Sequence, residues 1–379
     1  MPGLYNNVPM VQNKPGRETL TEVFRSGSME VHIRKENSLR RLYLELTTAC
    51  NMSCPMCFRR NYENCDSFMD GQTLAMVYRS IDELDNLDHV VLGGIGEPLM
   101  HGSVRELACF IRERNIQLSL QTNGLLLRGD TADFIVETGF DRIIISYEPG
   151  ELGHGENREI LSIINNLAGL RKNMGRDRPA IWIEIVLTVN VMEELTGLCR
   201  DLADSGADGF ILTNLLPVDE EYTDKIIYST GREPDTELLR PFYDMVRRNS
   251  QVRFPNFSLK TERHCYFIEN DAAVIRFDGS VTPCYRLLHD GGREYINGRC
   301  QEVNSRSFGN INRGDLLSIW NSRDYLWFRH VVRNALYPSC TDCKFYSACD
   351  YVNDVSYDCW GNSPSCGNCL WSRRIIICP

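Results

Sequence analysis

The sequence predicts an α/β fold in which a partial (β/α)6 barrel, similar to part of a TIM barrel, precedes a small cysteine-rich C-terminal domain. Short β-rich runs alternate with helical patterns from residue 40 to about 217, which is typical of βα units around a parallel sheet. The alternation gives six units, two fewer than a complete eight-unit barrel needs. After Cys265 the density of cysteines rises, and helical periodicity is confined to Leu316–Arg333.

Each unit of the barrel is predicted from hydrophobic periodicity. The six predicted strands are Leu42–Leu46, His89–Leu92, Gln117–Gln121, Arg142–Ser146, Ile181–Thr188 and Gly209–Leu212. The helices predicted between them are Gln72–Asn86, Val104–Asn115, Asp130–Glu137, Asn157–Asn173 and Met192–Ser205.

Four regions follow from these patterns. We expect an N-terminal arm or cap at 1–39, with a short helix and the strand MEVHIR within 18–34, and the barrel at 40–217. A helical connector is predicted at 218–260 and the cysteine-rich domain at 261–379. So small a domain has little core of its own, so we expect metal sites to stabilise it.

Composition excludes several functional classes. The 379 residues carry a net charge of −10 without a long basic run, which disfavours nucleic acid as the main substrate. No apolar stretch is long enough to span a membrane. Sixteen cysteines without an apolar signal region predict a cytoplasmic protein with reduced thiols, in which clustered cysteines indicate metal.

The loop after the first predicted strand carries Cys50, Cys54 and Cys57. Three thiolates at this spacing can bind three irons of a cubane cluster, which leaves the fourth iron without a protein ligand. A zinc knuckle or three core thiols is the alternative, which the position of the loop directly after a strand disfavours.

This loop, LYLELTTACNMSCPMCFRR, resembles the motif of the radical SAM superfamily, with Met56 at the apolar position before the last cysteine. The resemblance implies that S-adenosylmethionine (SAM) binds the open iron of a [4Fe-4S] cluster. In the family, an electron then cleaves SAM to a 5'-deoxyadenosyl radical, which abstracts hydrogen from a substrate. An electron donor of the ferredoxin or flavodoxin type is expected as a partner.

Other strand ends carry motifs that resemble the SAM-binding elements of the superfamily. The segment Gly93-Gly94-Ile95-Gly96-Glu97-Pro98 resembles its GGE motif, although a glycine-rich turn is the alternative. Because barrel active sites collect at the C-terminal ends of strands, the shared location supports the resemblance. The residues that it implies in SAM binding, besides Met56, are Gly94, Gly96, Glu97, Thr122, Asn123, Ser146, Glu148 and Asn190.

The C-terminal cysteines resemble the SPASM domain, which binds auxiliary [4Fe-4S] clusters. The matching elements are Cys265-x13-Gly279-x4-Cys284 and Cys340-x2-Cys343-x5-Cys349, but Asn353 stands where that family has its next cysteine. We therefore expect one or two auxiliary clusters, with zinc as the alternative for the tail. The predicted partition places Cys265, Cys284 and Cys359 on a first cluster and Cys340, Cys343, Cys349 and Cys369 on a second, with Cys300, Cys366 and Cys378 spare.

Few side chains suggest a role on the substrate side. Glu184 and Tyr147 are candidates for a general acid or base, and His101 is expected near the barrel mouth. Cys65, Cys109 and Cys199 are interpreted as ordinary thiols, and a functional role is the alternative for Cys65 because it is close to the cysteine loop.

The tail GNCLWSRRIIICP resembles a narrower group, the maturases associated with tungsten-cofactor oxidoreductases of the aldehyde–ferredoxin oxidoreductase type. This resemblance implies a protein, peptide or cofactor substrate that belongs to a tungsten-dependent oxidoreductase. Modification of a ribosomally made peptide, by a thioether or carbon–carbon crosslink, is the first alternative. A non-catalytic iron–sulfur electron carrier is the second, which the open iron and the Gly94–Glu97 turn disfavour.

Overall fold

The computed structural model describes residues 21–62, 66–148, 158–229, 240, 251–259 and 263–378. Cys65, the first twenty residues of the predicted arm and about half of the predicted helical connector lie outside the described residues.

The described part of the N-terminal arm is a β-hairpin. Strands β1 (Thr21–Ser26) and β2 (Met29–Arg34) pair antiparallel, with Thr21 opposite Arg34. The predicted strand MEVHIR is confirmed, whereas the predicted short helix is wrong over 21–26, where TEVFRS forms β1. The ring of Phe24 lies 4.7 Å from that of Trp327, so the hairpin packs against the C-terminal region.

The barrel sheet contains all six predicted strands as parallel neighbours in chain order. Each begins within one residue of its predicted position, because buried β-branched and aliphatic runs bounded by polar turns mark these strands clearly. They are β3 (Arg41–Glu45), β4 (His89–Gly93), β5 (Gln117–Thr122), β6 (Arg142–Tyr147), β7 (Ala180–Leu187) and β8 (Gly209–Asn214).

Five helices cover the outer face of this sheet. They are α1 (Gly71–Asp82), α2 (Val104–Glu113), α3 (Asp130–Thr138), α4 (Arg158–Asn173) and α5 (Val189–Asp204). Helix α5 begins three residues before the predicted start at Met192, because Thr188 caps it: its Oγ1 accepts a hydrogen bond from the Val191 N–H at 3.3 Å.

The sheet continues beyond the six predicted strands on both edges. Strand β9 (Gln251–Arg253) pairs parallel with β8, and β10 (Ala272–Ile275) pairs parallel with β3. Two short antiparallel strands follow β10 at that edge. They are β11 (Ser280–Thr282) and β14 (Gly309–Asn310), which are separated in the chain by the hairpin described next. The cysteine-rich region therefore supplies strands to the barrel sheet, and the sheet crosses the predicted boundary at 260.

The rest of the C-terminal region is short elements joined by turns. Strands β12 (Gly292–Ile296) and β13 (Arg299–Val303) form a hairpin, and the helices are α6 (Tyr266–Glu269), α7 (Leu316–Trp320) and α8 (Arg323–Arg333). The predicted helix Leu316–Arg333 is broken between α7 and α8, where Ser322 adopts an extended conformation as the N-cap of α8. Among the described helices, none has the length and apolar character needed to cross a bilayer.

Candidate SAM and iron–sulfur site

The loop after β3 brings its three predicted cysteines together. A tight turn closes where the Cys57 N–H donates to the Cys54 carbonyl oxygen at 3.1 Å. Burial, together with the negative charges of Glu148, Cys57 and Cys50, raises the pKa of the Cys54 thiol to about 12. Three half-buried thiols that act on one another in this way fit the ligands of three irons, and metal binding would displace their protons.

Backbone and side-chain hydrogen bonds hold the first residues of this loop. The Thr47 hydroxyl donates to the Ser67 carbonyl oxygen at 2.7 Å, and the Ser67 N–H donates to the Thr48 hydroxyl at 2.9 Å. The Arg59 guanidinium donates to the Thr48 carbonyl oxygen at 2.7 Å, which closes the loop on itself. The loop is therefore held at both ends while its thiols stay accessible.

The glycine turn after β4 packs against the start of the cysteine loop. A Cβ at Gly96 would lie 2.3 Å from the Thr47 carbonyl oxygen and 2.6 Å from that of Ala49. Gly94 has a φ of +109°, and a Cβ there would lie 2.6 Å from the Glu45 Cγ. The two glycines therefore permit close contact with the protein's own chain as well as the approach of a ligand.

Glu97 links the glycine turn to the Thr122–Asn123 turn. Its carboxylate is 1% exposed and accepts hydrogen bonds from Thr122 Oγ1 at 2.9 Å, Asn123 N at 2.8 Å and Leu99 N at 3.1 Å. Burial raises the pKa of this carboxyl group, and the three donors oppose the rise. The carboxylate therefore holds the Thr122–Asn123 turn in place, while the predicted contact of Glu97 with SAM stays a prediction.

Asn123 carries this network to the cysteine loop. Its Nδ2 donates to the Asn51 Oδ1 at 2.7 Å and lies 3.7 Å from the Cys50 Sγ. The glycine turn, the Thr122–Asn123 turn and the three thiols thus form one connected site at the C-terminal edge of the sheet. This arrangement fits a SAM molecule bound beside a three-cysteine cluster.

The end of β6 has two faces with different roles. Ser146 hydrogen-bonds to the Glu184 carboxylate, and Glu148 acts electrostatically on Cys54 and Cys57. Tyr147 points the other way and is fully buried in the core between sheet and helices. The prediction that Tyr147 faces the substrate cavity is therefore wrong, because successive residues of a strand alternate between its faces.

Glu184 lies on the same face of the sheet as Ser146. Burial and the neighbouring Glu148 raise the pKa of Glu184 to about 8, although the hydrogen bond from Ser146 opposes the rise. A carboxyl group in this state can hold a proton near neutral pH, which suits a general acid or base.

Three other predicted residues lie at the edges of this site. Asn190 is exposed in the first turn of α5, and Met56 packs beside the apolar cluster of Leu215, Val218 and Tyr222. His101 is 7% exposed: its Nε2 pairs with the Met69 carbonyl oxygen at 2.9 Å and its Nδ1 accepts from Ser103 N at 3.2 Å. Both ring nitrogens serve the fold, so the prediction of His101 at the barrel mouth is wrong.

Four C-terminal cysteines line one cavity of about 420 Å³. We name them the inner set: Cys265, Cys284, Cys366 and Cys369. Burial raises the pKa of the Cys366 thiol far above its usual value, and Cys369, Cys265 and Cys284 raise it further in that order. Four mutually close thiols around one cavity fit the ligands of a cubane cluster.

A second group of four thiols extends from a buried cysteine to the surface. We name it the outer set: Cys340, Cys343, Cys349 and Cys359. Burial raises the pKa of the Cys340 thiol to about 12, with Cys359 and Cys349 adding to the rise. Cys349 and Cys343 also raise the pKa of Cys359, so the four thiols face one another.

The predicted partition of these cysteines is wrong for three of them. Cys359 joins the outer set and Cys369 the inner set, and the spare Cys366 is a member of the inner set. The reason is a fold-back of the tail: the Cys340 N–H donates to the Gly367 carbonyl oxygen at 2.9 Å. A Cβ at Gly367 would lie 2.6 Å from the Cys340 Sγ, so the tail passes directly over the outer set.

A signal for Cys366 was present in the sequence. Cys366-x2-Cys369 repeats the spacing of Cys54-x2-Cys57 and Cys340-x2-Cys343. In all three pairs the N–H of the second cysteine donates to the carbonyl oxygen of the first, at 3.1 to 3.2 Å.

No group of three or more Cys, His, Asp or Glu side chains within the described ranges is placed to hold a single metal ion. A cubane cluster gives each thiolate its own iron, so its ligands stand further apart than the ligands of one zinc ion. The cavity within the inner set therefore suits the cluster interpretation better than the zinc alternative.

The remaining described cysteines belong to none of the three thiol groups. Cys300 and Cys109 are exposed, and Cys199 is buried in α5. Cys378 is buried, its Sγ accepts a hydrogen bond from Trp371 Nε1 at 2.8 Å, and it interacts electrostatically with Glu184 and Cys284. Cys378 thus lies between the barrel and the inner set.

Comparison with known proteins agrees with this geometry. The sequence model of the Radical SAM superfamily matches residues 44–187, and that of SPASM, an iron–sulfur cluster-binding domain, matches residues 265–344. The chain is 39% identical over 348 residues to the tungsten-containing aldehyde ferredoxin oxidoreductase cofactor-modifying protein of Pyrococcus furiosus. That match covers 90% of this chain and 97% of the relative.

Solved structures share the fold at low sequence identity. SuiB of Streptococcus suis, bound to its precursor peptide SuiA, has a TM-score of 0.58 at 17% identity, covering 83% of this chain and 73% of SuiB. The protein anSMEcpe with bound AdoMet has a TM-score of 0.56 at 17% identity, covering 86% and 90% of the two chains.

These matches span the cysteine loop, the glycine turn and the first cysteines of both sets. The chain therefore belongs to the radical SAM superfamily: it is an enzyme that uses S-adenosylmethionine with [4Fe-4S] clusters and carries a SPASM region in its C-terminal part.

Proposed function

We propose that this enzyme is a maturase that modifies the cofactor of a tungsten-dependent oxidoreductase of the aldehyde ferredoxin oxidoreductase type. The observation that carries the proposal is the identity of 39% along 97% of the Pyrococcus furiosus cofactor-modifying protein. A match over nearly the whole of both chains includes the C-terminal region, where the substrate cavity of a barrel enzyme meets its second domain.

The proposed site residues divide into three groups. Cys50, Cys54 and Cys57 hold the cluster that reduces SAM, and the Gly94–Glu97 turn with Asn123 holds the methionine part of SAM. The inner and outer sets each hold one auxiliary cluster. When bound, these groups supply one electron for reductive cleavage of SAM and a radical that removes a hydrogen atom from the substrate.

The substrate is proposed to enter between the cysteine loop and the inner set. A space of about 350 Å³ lies there, lined by aromatic rings from both sides, among them Phe58, Tyr62, Tyr285 and Trp371. The buried Arg286 and Glu294 and the exposed Arg293 add polar groups to its wall. Glu184 is the candidate for moving a proton on the substrate side.

The electron donor is proposed to be a small redox protein of the ferredoxin or flavodoxin type. Reductive cleavage consumes one electron from outside the chain, so the enzyme needs such a partner. Cys343 and Cys359 of the outer set are exposed, and the nearby Phe345 and Trp360 are 77% and 52% exposed. A thiol set at the surface among apolar rings offers a short path to a docked donor.

We place the enzyme in the cytoplasm. All fifteen cysteines within the described ranges are free of disulfide bonds, which fits a reducing compartment. A tungsten oxidoreductase and its reduced donor would be found in the same compartment.

The first experiment tests the chemistry. The full chain is reconstituted anaerobically with iron and sulfide, then mixed with SAM and dithionite, and 5'-deoxyadenosine is measured by chromatography. Formation of 5'-deoxyadenosine supports the proposal, and its absence from protein with full cluster loading contradicts it.

The second experiment tests the substrate. The enzyme is incubated with SAM, reductant and the tungsten oxidoreductase of its own host, isolated from cells that lack the maturase. A mass change on the released cofactor supports the proposal. A mass change on the polypeptide, or on a short precursor peptide in a parallel reaction, would instead favour peptide modification.

A further inference from the structure

The segment Cys284–His289 connects the inner set to the glycine turn. Cys284 supplies a thiol to the inner set, and the next residue, Tyr285, reaches the barrel. The Tyr285 hydroxyl donates a hydrogen bond to Gln121 Oε1 at 2.6 Å. Its oxygen lies 2.6 Å from where a Cβ on Gly93 would be, so Tyr285 is in close contact with the turn.

His289, four residues after Tyr285, makes a second connection. Its Nε2 lies 2.9 and 3.0 Å from the two carboxylate oxygens of Glu45, and both residues are buried, with 4% and 0% exposure. Glu45 Oε1 also accepts a hydrogen bond from the Ile95 N–H at 3.2 Å. The Glu45 side chain occupies the space that a Cβ on Gly94 would need.

This one segment therefore supports the turn at two points: Tyr285 packs against Gly93, and His289 pairs with the Glu45 carboxylate that accepts from the Ile95 N–H. Aromatic contacts keep the segment itself in place. The Tyr285 ring packs 5.2 Å from that of Tyr43, and the His289 ring lies 5.2 Å from that of Tyr62.

We propose that Tyr285 and His289 are positioning residues for SAM, and that the inner set holds the SAM-binding turn in its binding conformation when its cluster is present. This inference rests on the proposed role of the Gly94–Glu97 turn in SAM binding. A cluster on Cys284 would fix the start of the segment, and the segment holds the turn through Tyr285 at Gly93 and through the Glu45–His289 pair at Ile95. Cleavage of SAM then depends on whether the inner cluster is loaded.

The matched variants are Tyr285→Phe and Tyr325→Phe. Both rings pack near Cys284, but the Tyr325 hydroxyl has no hydrogen-bond partner among the described residues, whereas the Tyr285 hydroxyl holds the turn. The measurements are the Kd of SAM for the anaerobically reconstituted full chain and the EPR spectrum of the reduced protein with and without SAM. Iron content is determined for each preparation.

We expect Tyr285→Phe to bind SAM about tenfold more weakly, the effect of losing a buried hydrogen bond, with wild-type iron content. His289→Gln, which keeps one amide donor for Glu45, should lose less affinity than His289→Ala. Tyr325→Phe should bind SAM as the wild type does. The EPR change on SAM addition should be altered in Tyr285→Phe alone of the two tyrosine variants.

The dependence on the cluster is tested with one cysteine from each set. Cys284→Ala should lower the affinity for SAM at least about tenfold more than Cys343→Ala does, although each variant loses one auxiliary cluster. The proposal is overturned if the two cysteine variants bind SAM equally, or if Tyr285→Phe and His289→Ala keep wild-type affinity and spectra.

Failure of the underlying site assignment gives a different result. Gly96→Ala should abolish SAM binding, because the added Cβ would collide with two backbone carbonyl oxygens of the cysteine loop. If Gly96→Ala binds SAM normally, the turn is not the SAM site. If Gly96→Ala loses binding while Tyr285→Phe keeps it, the turn is the site and the positioning role is wrong.

Discussion

The inner and outer sets contain four thiols each but are built differently. Cys265 and Cys284 of the inner set flank β10 and β11, which are part of the barrel sheet, and no member of this set is fully exposed. The outer set is assembled from short turns within 340–359, and Cys343 and Cys359 are exposed. The inner set is thus attached to strands of the barrel sheet, whereas two thiols of the outer set are exposed to solvent.

This difference separates two tasks that auxiliary clusters can perform. A cluster enclosed next to the SAM turn and the proposed substrate space can act on the reaction directly. A cluster at the surface can exchange electrons with a partner without disturbing the barrel. Changes to the inner set should therefore alter SAM binding and stability, whereas changes to the outer set should alter product formation.

The largest effect is expected from the cysteine loop, which serves as the reference for both sets. Cys54→Ala removes a ligand of the proposed SAM cluster and should abolish SAM cleavage. The tail should keep about eight irons per chain, the content of two cubane clusters. Iron analysis and 5'-deoxyadenosine measurement on the same sample check this, and loss of the tail iron as well would show that the regions do not load independently.

A smaller effect is expected from the outer set. Cys343→Ala should still cleave SAM but should form little final product, because the surface cluster is proposed to exchange electrons with the partner. The measurement is the ratio of modified substrate to 5'-deoxyadenosine in one reaction. A ratio equal to that of the wild type would show that the outer cluster is dispensable for turnover.

Replacing one arginine beside each set should lower the free energy of unfolding by different amounts. Arg286, beside the inner set, is 4% exposed and makes a buried ion pair with Glu294 at 2.8 Å. Arg286→Ala leaves that carboxylate buried and unpaired, so the free energy of unfolding should fall by about 3 to 5 kcal/mol. Arg299, beside the outer set, is half-buried and donates to the carbonyl oxygens of Tyr346 and Cys349 at 2.7 and 3.0 Å.

For Arg299→Ala we expect a loss of only about 1 kcal/mol, the usual net value of such hydrogen bonds. Denaturant unfolding of both variants under anaerobic conditions gives the two values. Equal losses would contradict the view that the inner region is enclosed and the outer region solvated.

A pH-dependent effect is expected from Glu184, on the barrel side of the inner set. Its pKa is raised to about 8 in the folded chain, so between about pH 4.5 and pH 8 the folded state binds more protons than the unfolded state. The free energy of unfolding should therefore fall as pH rises through this window, by up to about 1.4 kcal/mol per pH unit from this group. Glu184→Gln should remove that part of the slope.

The control for this titration is Glu302→Gln, on an exposed position of β13 near the outer set. Its unfolding curve should follow that of the wild type at every pH. Chemical unfolding at pH 5, 6.5 and 8 would test both variants, and an unchanged slope in Glu184→Gln would place its titration outside this range.

The barrel was predictable because its signals are local. Alternating apolar runs place β3 to β8 within one residue at their starts, and the cysteine loop follows β3 as expected. The predicted start of helix α5 was three residues too late, because the sequence allows Thr188 to be either the end of a strand or an N-cap. Only its hydrogen bond from the Val191 N–H decides between the two.

The rest depends on contacts between distant segments, which a linear pattern does not contain. The pairing of β10 with β3 joins residues more than two hundred positions apart, and the partition of the thiols depends on the tail crossing Cys340 at Gly367. Likewise, the face of Tyr147 and the buried partners of His101 follow from packing around them. No sequence motif marks the Glu45–His289 pair, which only the folded structure reveals.

The most direct test of this account is an anaerobic crystal structure of the reconstituted enzyme with SAM, with iron located by anomalous scattering. We expect three iron clusters: one on Cys50, Cys54 and Cys57 with SAM on its open iron, one on the inner set and one on the outer set. A cluster that joins Cys359 to Cys265 and Cys284, or a glycine turn that touches SAM without Tyr285 beside it, would contradict the account.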